Sequence, residues 1–270
     1  MPATPRPLTA DLRAVASADP PTPGAPEQAA VRSMFDRIAP RYDLLNRLLS
    51  AGVDVRWRRK AVDALDLDVE GDGDADVDGG QTGAARILDL CTGTADVLIE
   101  ALGRDPRLRG LGADLSPQML VRGLRKLERR GMASRSALAC GDAERLPLRA
   151  ALFDGAVVAF GIRNIGDRER ALREMLRVLR PGGRLVVLEF GVPRGLLGTP
   201  YRFYFGHLLP WIGGIISGDP AAYSYLPASV AAFPPPEAFA ALMEKAGFVA
   251  VTWTPLTGGI ATLHRGDKPR

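Results

Sequence analysis

Short apolar runs alternate with amphipathic segments from residue 86 to the end of the chain. The apolar runs have the length of strands and predict strands at 86–91, 111–115, 136–140, 155–160 and 184–190. Helical spacing of apolar residues predicts helices at 95–103, from Ser116 onward, at 168–179 and at 235–246. Strands that alternate with helices form parallel sheets covered on both faces, so we predict a doubly wound α/β fold. Two late runs, 249–254 and 260–264, complete a mostly parallel seven-stranded sheet as a predicted hairpin.

The segment ahead of the sheet divides into three parts. Residues 1–26 contain seven prolines and almost no bulky apolar residue, so we expect them to be disordered. Residues 27–67 follow a helical pattern that is broken near Pro40 and near Gly52. The run 68–83 holds six acidic side chains and no basic one, which predicts a loop. It resembles the start of a calcium loop, but Ala85 stands where the final glutamate ligand is needed, so we predict no metal.

The net charge and the cysteines limit which ligands and which cellular compartment fit this protein. The net charge of the chain is +4, which becomes +10 outside the acidic run. A basic surface suits nucleic acid, an anionic membrane surface or an anionic cofactor, and it does not decide among them. Cys91 and Cys140 end apolar runs and are predicted to be reduced core thiols. The N-terminus lacks the apolar region of a secretory signal, so we expect a cytoplasmic protein.

Small and acidic residues collect where the predicted strands end, and ligands bind at this edge of such sheets. The first strand runs into a loop of small residues, which lets the backbone approach a ligand ahead of a helix N-terminus. Asp114 ends the second strand 21 residues after Gly93. At this spacing a carboxylate can accept hydrogen bonds from both ribose hydroxyls. The residues therefore predict cofactor binding by Asp89, Gly93, Asp96, Asp114 and Asp142.

Two cofactors fit such a site, NAD and S-adenosylmethionine. The pyrophosphate of NAD needs a set of glycines, of which only Gly93 is present. S-adenosylmethionine has no phosphate, and its sulfonium and amino-acid end favour acidic neighbours such as Asp89 and Asp96. The Pro-Gly-Gly turn at 181–183 and the predicted hairpin also favour the sheet of a methyltransferase. The residues therefore favour S-adenosylmethionine, and the missing glycines argue against a nicotinamide oxidoreductase.

Six stretches make the chain similar to the ubiquinone/menaquinone-biosynthesis C-methyltransferases over residues 31–268. Many class I methyltransferases share LDLCTGTAD (88–96) and LRPGGRLVVLEF (179–190). The stretches typical of this family are FDRIAPRYDLLNRLLSAGVDVRWR (35–58), FGIRNIGD (160–167), YSYLPASVAAFP (223–234) and GGIATLHRGDKP (258–269). The resemblance implies the class I S-adenosylmethionine-dependent fold with an N-terminal helical cap. We predict one domain over 27–270, with the cap at 27–67 and a substrate-side insertion at 193–232. The acidic loop at 68–84 lies in this domain but is not part of the family pattern.

The resemblance also implies an activity, because family members methylate a ring carbon of a polyprenylated quinol. The expected reaction converts demethylmenaquinol to menaquinol, and the benzoquinol of the ubiquinone pathway is the alternative acceptor. By motif position, Thr94 and Ala143 are expected to contact the cofactor together with Asp114 and Asp142. The expected catalytic residues are Arg163 and Asn164, and the expected substrate-binding residues are Tyr42, Asn46, Tyr204 and Tyr223. Three small residues depart from the pattern: Cys91 and Ala95 replace glycines found in many methyltransferases, and Ala159 replaces a serine of some relatives.

Carbon methylation is an in-line displacement that needs the phenolic proton of the quinol to leave. Arg163 is expected to stabilise the phenolate or to organise a water that takes this proton, since its own pKa makes it a poor base. The alternative is that Arg163 pairs with a helix carboxylate and shapes its loop. His207 and His264 are further candidates for the base.

Residues 196–217 are the most apolar stretch, with five aromatic side chains. Pro200 and Pro210 argue against a transmembrane helix, so we predict an interfacial element that receives an isoprenoid tail. A core or dimer-interface helix is the alternative. The expected partners are a polyprenylated quinol and the inner face of the plasma membrane, with a homodimer left open.

Two other functions fit less well. Among nucleic-acid methyltransferases, base N-methylation would need a polar residue ahead of Pro234, and carbon methylation of pyrimidines would need a well-placed nucleophilic cysteine. Neither is present, so we expect no nucleic acid partner. A non-catalytic scaffold of a quinone-synthesis complex would be indicated by loss of the FGIRN or cofactor residues, and both are present.

Overall fold

The computed structural model describes residues 26–50, 52–67, 84–193 and 220–270, without the side chains of 26, 27, 45, 48, 49 and 220–224. The strands are β1 Arg86–Leu90, β2 Arg109–Asp114, β3 Ser136–Cys140, β4 Phe153–Ala159, β5 Leu179–Phe190, β6 Val249–Leu256 and β7 Ala261–Asp267. The α-helices are α1 Pro26–Ile38, α2 Tyr42–Leu49, α3 Val53–Leu65, α4 Asp96–Leu102, α5 Pro117–Arg129, α6 Arg168–Val178, α7 Pro220–Ala231 and α8 Pro236–Lys245. Four short 3₁₀ helices cover Ala39–Arg41, Ala133–Arg135, Ile162–Asn164 and Thr257–Gly259.

Seven strands form one sheet in the order β3–β2–β1–β4–β5–β7–β6. The first five strands pair in parallel, whereas β7 is antiparallel to both β5 and β6. The predicted doubly wound, mostly parallel sheet with a terminal hairpin is therefore confirmed. Chain order reverses between β1 and β4, which places the ligand-binding edge at the carboxyl ends of these two strands.

Alternate residues of the central strands supply two hydrophobic clusters. Leu88 and Val158 belong to a cluster that includes α6 and α8, whereas Ile87 and Val157 belong to one that includes α3 and α4. Successive side chains of a strand point to opposite faces, so strands buried on both faces read as unbroken apolar runs. This is why the sequence predicted the strands from apolar runs without alternation.

β5 begins five residues earlier than predicted. Leu179 pairs with Phe153, and the register then shifts so that Arg184 pairs with Gly155. The Pro-Gly-Gly stretch is thus an irregularity within the strand rather than a turn ahead of it, and Gly182 takes a positive φ of 77° there. The local sequence favours a turn, but pairing with β4 on both sides of it extends the strand.

The N-terminal helices follow the predicted breaks. Pro40 lies in a 3₁₀ helix between α1 and α2, and Gly52 precedes α3 with a φ of 75°. Trp57 of α3 donates a hydrogen bond to Thr257 at 2.9 Å and packs against the rings of Phe160 and Phe190. Trp57 therefore anchors α3 to the carboxyl ends of β4 and β5.

Polar contacts fasten the other two cap helices to the sheet. The N-cap hydroxyl of α5, from Ser116, donates to Asp36 of α1 at 2.5 Å, and Pro117 begins the helix as predicted. Lys126 of α5 donates to Asp43 of α2 at 3.0 Å and also contacts Asp96 of α4. These contacts hold α1 and α2 over the ends of the strands.

Several sequence predictions fall on residues outside this description. They are the disorder of 1–26 except for its last residue, the acidic loop except for residue 84, and the interfacial element at 196–217. Among the described residues, no helix is long and apolar enough to cross a membrane. Cys91 and Cys140 are free thiols as predicted, but both are half-buried rather than enclosed in the core.

Candidate active site

A pocket lies at the carboxyl ends of β1, β2 and β4, under the helices of the cap. Residues of α1 and the Tyr42 ring form its outer wall, and the ends of the strands form its floor. The described residues that line it include Gln28, Arg32, Phe35, Tyr42, Cys91, Gly93, Asp114, Ser116, Asp142, Ala143, Ala159, Phe160 and Asn164. Four of the seven predicted cofactor residues, namely Gly93, Asp114, Asp142 and Ala143, are among them.

Asp114 lies on the floor of the pocket and is only partly used by the protein. Its carboxylate accepts hydrogen bonds from the backbone N–H groups of Gly93 at 2.9 Å and Ser116 at 2.8 Å. Burial raises the pKa of this carboxyl above its usual value. A carboxylate can accept about four hydrogen bonds, so Asp114 keeps acceptor capacity for a ligand with hydroxyl donors.

The backbone at Gly93 is open toward the pocket. Its φ is 55°, and a Cβ at this position would meet only Cε1 of Tyr42, at 3.9 Å. At the exit of β3, the carboxylate of Asp142 accepts a hydrogen bond from the N–H of Glu144 at 2.9 Å. These positions leave a cradle lined by backbone and small side chains.

The other three predicted cofactor side chains do not line the pocket. Asp89 turns into the protein, where one oxygen accepts hydrogen bonds from the Thr92 hydroxyl at 2.5 Å and from the N–H of Leu98 at 3.1 Å. The Thr94 hydroxyl donates to Asp43 at 2.6 Å, and Asp96 pairs with Lys126. In this structure Asp89 supports the loop and the other two side chains fasten the cap, and cofactor contacts from these three residues stay a prediction.

Arg163 forms a buried ion pair with Glu189 of β5, with Nη1 and Oε1 2.9 Å apart. The same nitrogen donates to the carbonyl of Phe160, and Nε donates to the hydroxyl of Ser229 at 3.3 Å. Among the described residues, Nη2 has no hydrogen-bond partner. Arg163 thus pairs with a strand carboxylate rather than a helix carboxylate, and this pairing leaves one nitrogen free to donate.

Asn164 and Tyr42 lie on the wall of the pocket beside this arginine. The Asn164 side-chain oxygen accepts a hydrogen bond from the Tyr225 hydroxyl at 3.0 Å, which fixes its orientation. Burial raises the pKa of the Tyr42 phenol, against the effects of a hydrogen bond with Asn46 and of the charge of Arg163. Tyr42 is therefore a neutral donor at physiological pH.

The remaining substrate and base candidates lie elsewhere or outside the description. Tyr204 and His207 belong to 194–219, and the side chain of Tyr223 is likewise not described. His264 lies on β7, where burial lowers its pKa to about 4 and Nε2 is 3.1 Å from the carbonyl oxygen of Pro236. It does not line the pocket of Asp114.

Sequence reasoning missed Glu189, Tyr225 and the α1 residues of the pocket wall. Glu189 lies next to the last residue of β5, so the strand-end rule that selected Asp114 would also have found it. Gln28, Arg32 and Phe35 come from a helix far ahead of the sheet in sequence, and no local signal marks them as pocket residues.

The charges of the pocket favour a cationic ligand over a phosphate. Asp114 and Asp142 contribute carboxylates, and Arg32 is the one cation among the described lining residues. A pyrophosphate would meet carboxylates on the pocket floor without the expected donors. No group of acidic, histidine or cysteine side chains in the described part of the chain is arranged to hold a metal ion.

Comparison with known proteins gives consistent matches. A profile described as the ubiE/COQ5 methyltransferase family matches residues 24–268. A demethylmenaquinone methyltransferase from Thermus thermophilus is 51% identical over 237 residues, covering 87% of this chain and 100% of that protein. The ubiquinone/menaquinone biosynthesis C-methyltransferase UbiE from Syntrophotalea carbinolica is 50% identical, covering 88% of this chain and 93% of that protein.

A solved structure shows the same fold. It is a SAM-dependent methyltransferase from Thermotoga maritima, described as a possible histamine N-methyltransferase. It aligns with a TM-score of 0.58 and 21% identity, covering 88% of this chain and 99% of that chain. At this identity the similarity concerns the fold alone.

The contact between Gly161 and Cys91 makes the loop sensitive to one methyl group. A Cβ on Gly161 would lie 2.2 Å from the Cβ of Cys91 and 2.8 Å from its sulfur. The φ of Gly161 is −117°, which alanine adopts without strain. We therefore expect Gly161→Ala to lower the free energy of unfolding by about 1–3 kcal/mol through overpacking, measured by urea denaturation.

Combining Gly161→Ala with Cys91→Gly in one chain should restore the stability. Cys91→Gly removes both clashing atoms, and the φ of 54° at Cys91 favours glycine. The double variant should recover most of the lost unfolding free energy. If it is as unstable as Gly161→Ala alone, the proposed steric cause is wrong.

Asp89 should make stability depend on pH. Burial raises its pKa from 3.8 to about 7, so folding favours the protonated carboxyl. The resulting stabilisation is fully present below pH 3.8, and it is lost as the pH rises through about 7. In Asp89→Asn the amide oxygen can accept the bonds from Thr92 and Leu98 without titrating. From about pH 4 to pH 7 the wild type should lose up to about 4 kcal/mol relative to this variant.

The measurement is the unfolding free energy of both proteins across this pH range. His264 titrates in the opposite direction, because its pKa is lowered, but it does so in both proteins and cancels in the difference. If the difference between the unfolding free energies of the two proteins stays constant with pH, Asp89 is ionised over the whole range.

Proposed function

The chain belongs to the ubiE/COQ5 methyltransferase family, and from this premise we propose that it methylates a ring carbon of a polyprenylated quinol with S-adenosylmethionine. The proposed acceptor is demethylmenaquinol, since the relative from Thermus thermophilus is named a demethylmenaquinone methyltransferase. The benzoquinol of the ubiquinone pathway is the second candidate, because the name of the other relative covers both quinones. The observation that carries the proposal is a buried arginine held beside an acidic nucleotide-type pocket.

The pocket residues suit S-adenosylmethionine. Asp114 keeps acceptor capacity for the ribose hydroxyls, and Asp142 is proposed to accept from the adenine amino group. The open backbone at Gly93 admits the cofactor closely, and the acidic surroundings favour its positive charge. When bound, S-adenosylmethionine supplies an electrophilic methyl group.

Arg163 is proposed to act on the oxygen of the quinol. Its free Nη2 can donate to the oxygen and stabilise the phenolate that makes the ring carbon nucleophilic, or hold the water that accepts the proton. Its Nη1 donates to the carbonyl of Phe160, which lines the pocket, so the guanidinium lies next to the pocket wall. Glu189 is a positioning residue, because it fixes the other side of the guanidinium.

Asn164 and Tyr42 are proposed to position the ring. The amide of Asn164 is held by Tyr225, and the neutral phenol of Tyr42 can donate to a second quinol oxygen. Holding two reactants in line can lower a barrier by roughly 7–11 kcal/mol, whereas a general base contributes about 10²–10⁴-fold. Positioning by these side chains should therefore account for most of the rate.

Peripheral association with a membrane is part of the proposal. It rests on the apolar, aromatic composition of residues 196–217 and on the water-insoluble tail of the proposed substrate.

Incubation with methyl-labelled S-adenosylmethionine and each reduced demethylated quinone tests the function. We expect label in a naphthoquinol product whose mass rises by one methyl group and whose fragments place it on the ring. Asp114→Ala should weaken S-adenosylmethionine binding measured by calorimetry, because charged hydrogen bonds contribute about 1.5–3 kcal/mol each. No transfer to either quinol, or transfer to RNA instead, would contradict the proposal.

The role of Arg163 is tested by Arg163→Lys. Lysine keeps a charge beside Glu189 but loses the planar fork, so the fold should survive while the bond to the quinol oxygen is lost. We expect kcat to fall at least tenfold, with a smaller rise in KM and unchanged cofactor affinity. Arg163→Ala is less clean, because an unpaired buried Glu189 would cost about 3–5 kcal/mol of stability.

Arg180→Lys is the matched control. Arg180 also pairs with a carboxylate, that of Asp154 at 2.9 Å, but it lies at the other end of the strands. Its kcat should remain near that of the wild type. A near-normal kcat in folded Arg163→Lys, with product release shown not to limit turnover, would rule out the chemical role.

A further inference from the structure

A second cavity lies next to the Arg163–Glu189 pair, because Glu189 is one of its lining residues. It is bounded by the end of β5 and the residues after it, by the end of α7 and the turn that follows, and by β7. Its volume is about 500 Å³, which falls in the range of about 300–1,000 Å³ of small-molecule sites. Neither the sequence motifs nor the proposed chemistry accounts for it.

The described walls of this cavity are mostly apolar. Val192, Val230 and Phe233 contribute hydrocarbon, as do several prolines of the turn after α7. Polar side chains among the described lining residues come from Glu189, Thr262 and His264 alone. A wall of this composition suits a ligand that is itself hydrocarbon.

The polar groups of the cavity carry no net charge. Glu189 is neutralised by Arg163 at 2.9 Å and also accepts from the N–H of Phe190 at 2.8 Å. Burial lowers the pKa of His264 to about 4, so its ring is neutral at physiological pH. A charged ligand would lose its hydration here without an opposite charge, whereas a neutral chain would lose little.

Aromatic rings connect the cavity to the pocket of Asp114. Phe190 lines the cavity, Phe160 lines the pocket, and their rings stack with centroids 4.4 Å apart. The guanidinium carbon of Arg163 lies 5.6 Å from the centroid of the Phe190 ring. A chain bound in the cavity would therefore begin close to the proposed position of the quinol ring.

We propose that this cavity binds the first isoprene units of the acceptor, as a site for a linear, uncharged hydrocarbon chain. The assignment rests on the proposed function, and it adds the site at which the isoprenoid tail of the quinol is bound. Val192 is 45% exposed and marks the mouth, so longer tails leave the protein there. The pair of Arg163 and Glu189 then lies beside the bond that joins the ring to the tail.

The first test measures binding of farnesol to the full-length protein by calorimetry, without a methyl donor. Val192→Glu places a charge at the mouth and should weaken farnesol binding at least tenfold. Val249→Glu is the matched control, because Val249 is 47% exposed and lies on the edge strand outside the cavity. Its farnesol affinity should equal that of the wild type.

The second test compares turnover of reduced 2-geranyl-1,4-naphthoquinone with that of tail-less 1,4-naphthohydroquinone. Ala231→Trp should fill the cavity from the end of α7 and lower the ratio of the two kcat/KM values at least tenfold. Ala241→Trp, on the exposed side of α8, should leave the ratio unchanged. An unchanged ratio in Ala231→Trp, or an equal loss for both substrates, would show that the cavity does not hold the tail.

The two tests separate failure of this inference from failure of the proposed function. If the wild type methylates no naphthoquinol, the proposed function is wrong, and farnesol binding still reports on the cavity. If the wild type methylates the quinol but does not bind farnesol, or Val192→Glu and Val249→Glu bind it equally, the assignment of the cavity is wrong.

Discussion

The buried ion pair of Arg163 and Glu189 is the interaction on which both cavities depend. It joins the loop after β4 to the end of β5, and backbone groups of Phe160 and Phe190 complete its hydrogen bonds. Removing one member of such a pair leaves an uncompensated charge, which costs about 3–5 kcal/mol. The pair is therefore held in a fixed position, and its unused nitrogen is the polar group that we propose for contact with the substrate oxygen. Chemistry and tail recognition are proposed next to it.

A second constraint is the distribution of charge around the pocket of Asp114. Cations of the cap and of α5 are already engaged, since Lys126 is paired with Asp43 and Asp96 and Arg58 is paired with Asp54. The floor of the pocket keeps its carboxylates, and burial raises the pKa of Asp114. A cationic cofactor would relieve this unfavourable burial of acidic groups. The same network that closes the cap thus leaves the pocket acidic.

The fold and the proposed function of this protein are supported by different comparisons. The doubly wound sheet is shared with a solved structure at 21% identity, and such a fold serves many activities. The proposed activity rests instead on relatives about 50% identical over nearly the whole matched region, together with the side chains at the ends of the strands. Asn164 lines the pocket from the 3₁₀ helix after β4, and Tyr42 lines it from α2. Arg163 adjoins Asn164 in the same 3₁₀ helix, so the wall is a property of the assembled domain.

The sequence by itself determined the order of the elements, the class of sheet and the edge at which the site lies. Buried parallel strands are continuous apolar runs, and the residue that ends each run is readable without coordinates, as at Asp114. The direction of a side chain at that edge is decided by neighbours that are distant in sequence. Asp89 turns inward because Thr92 and Leu98 offer it donors, and Asp96 turns to Lys126. Only the tertiary structure brought Glu189 to Arg163 and opened a cavity beside them, because apolar walls from β5, α7 and β7 meet only when the chain has folded.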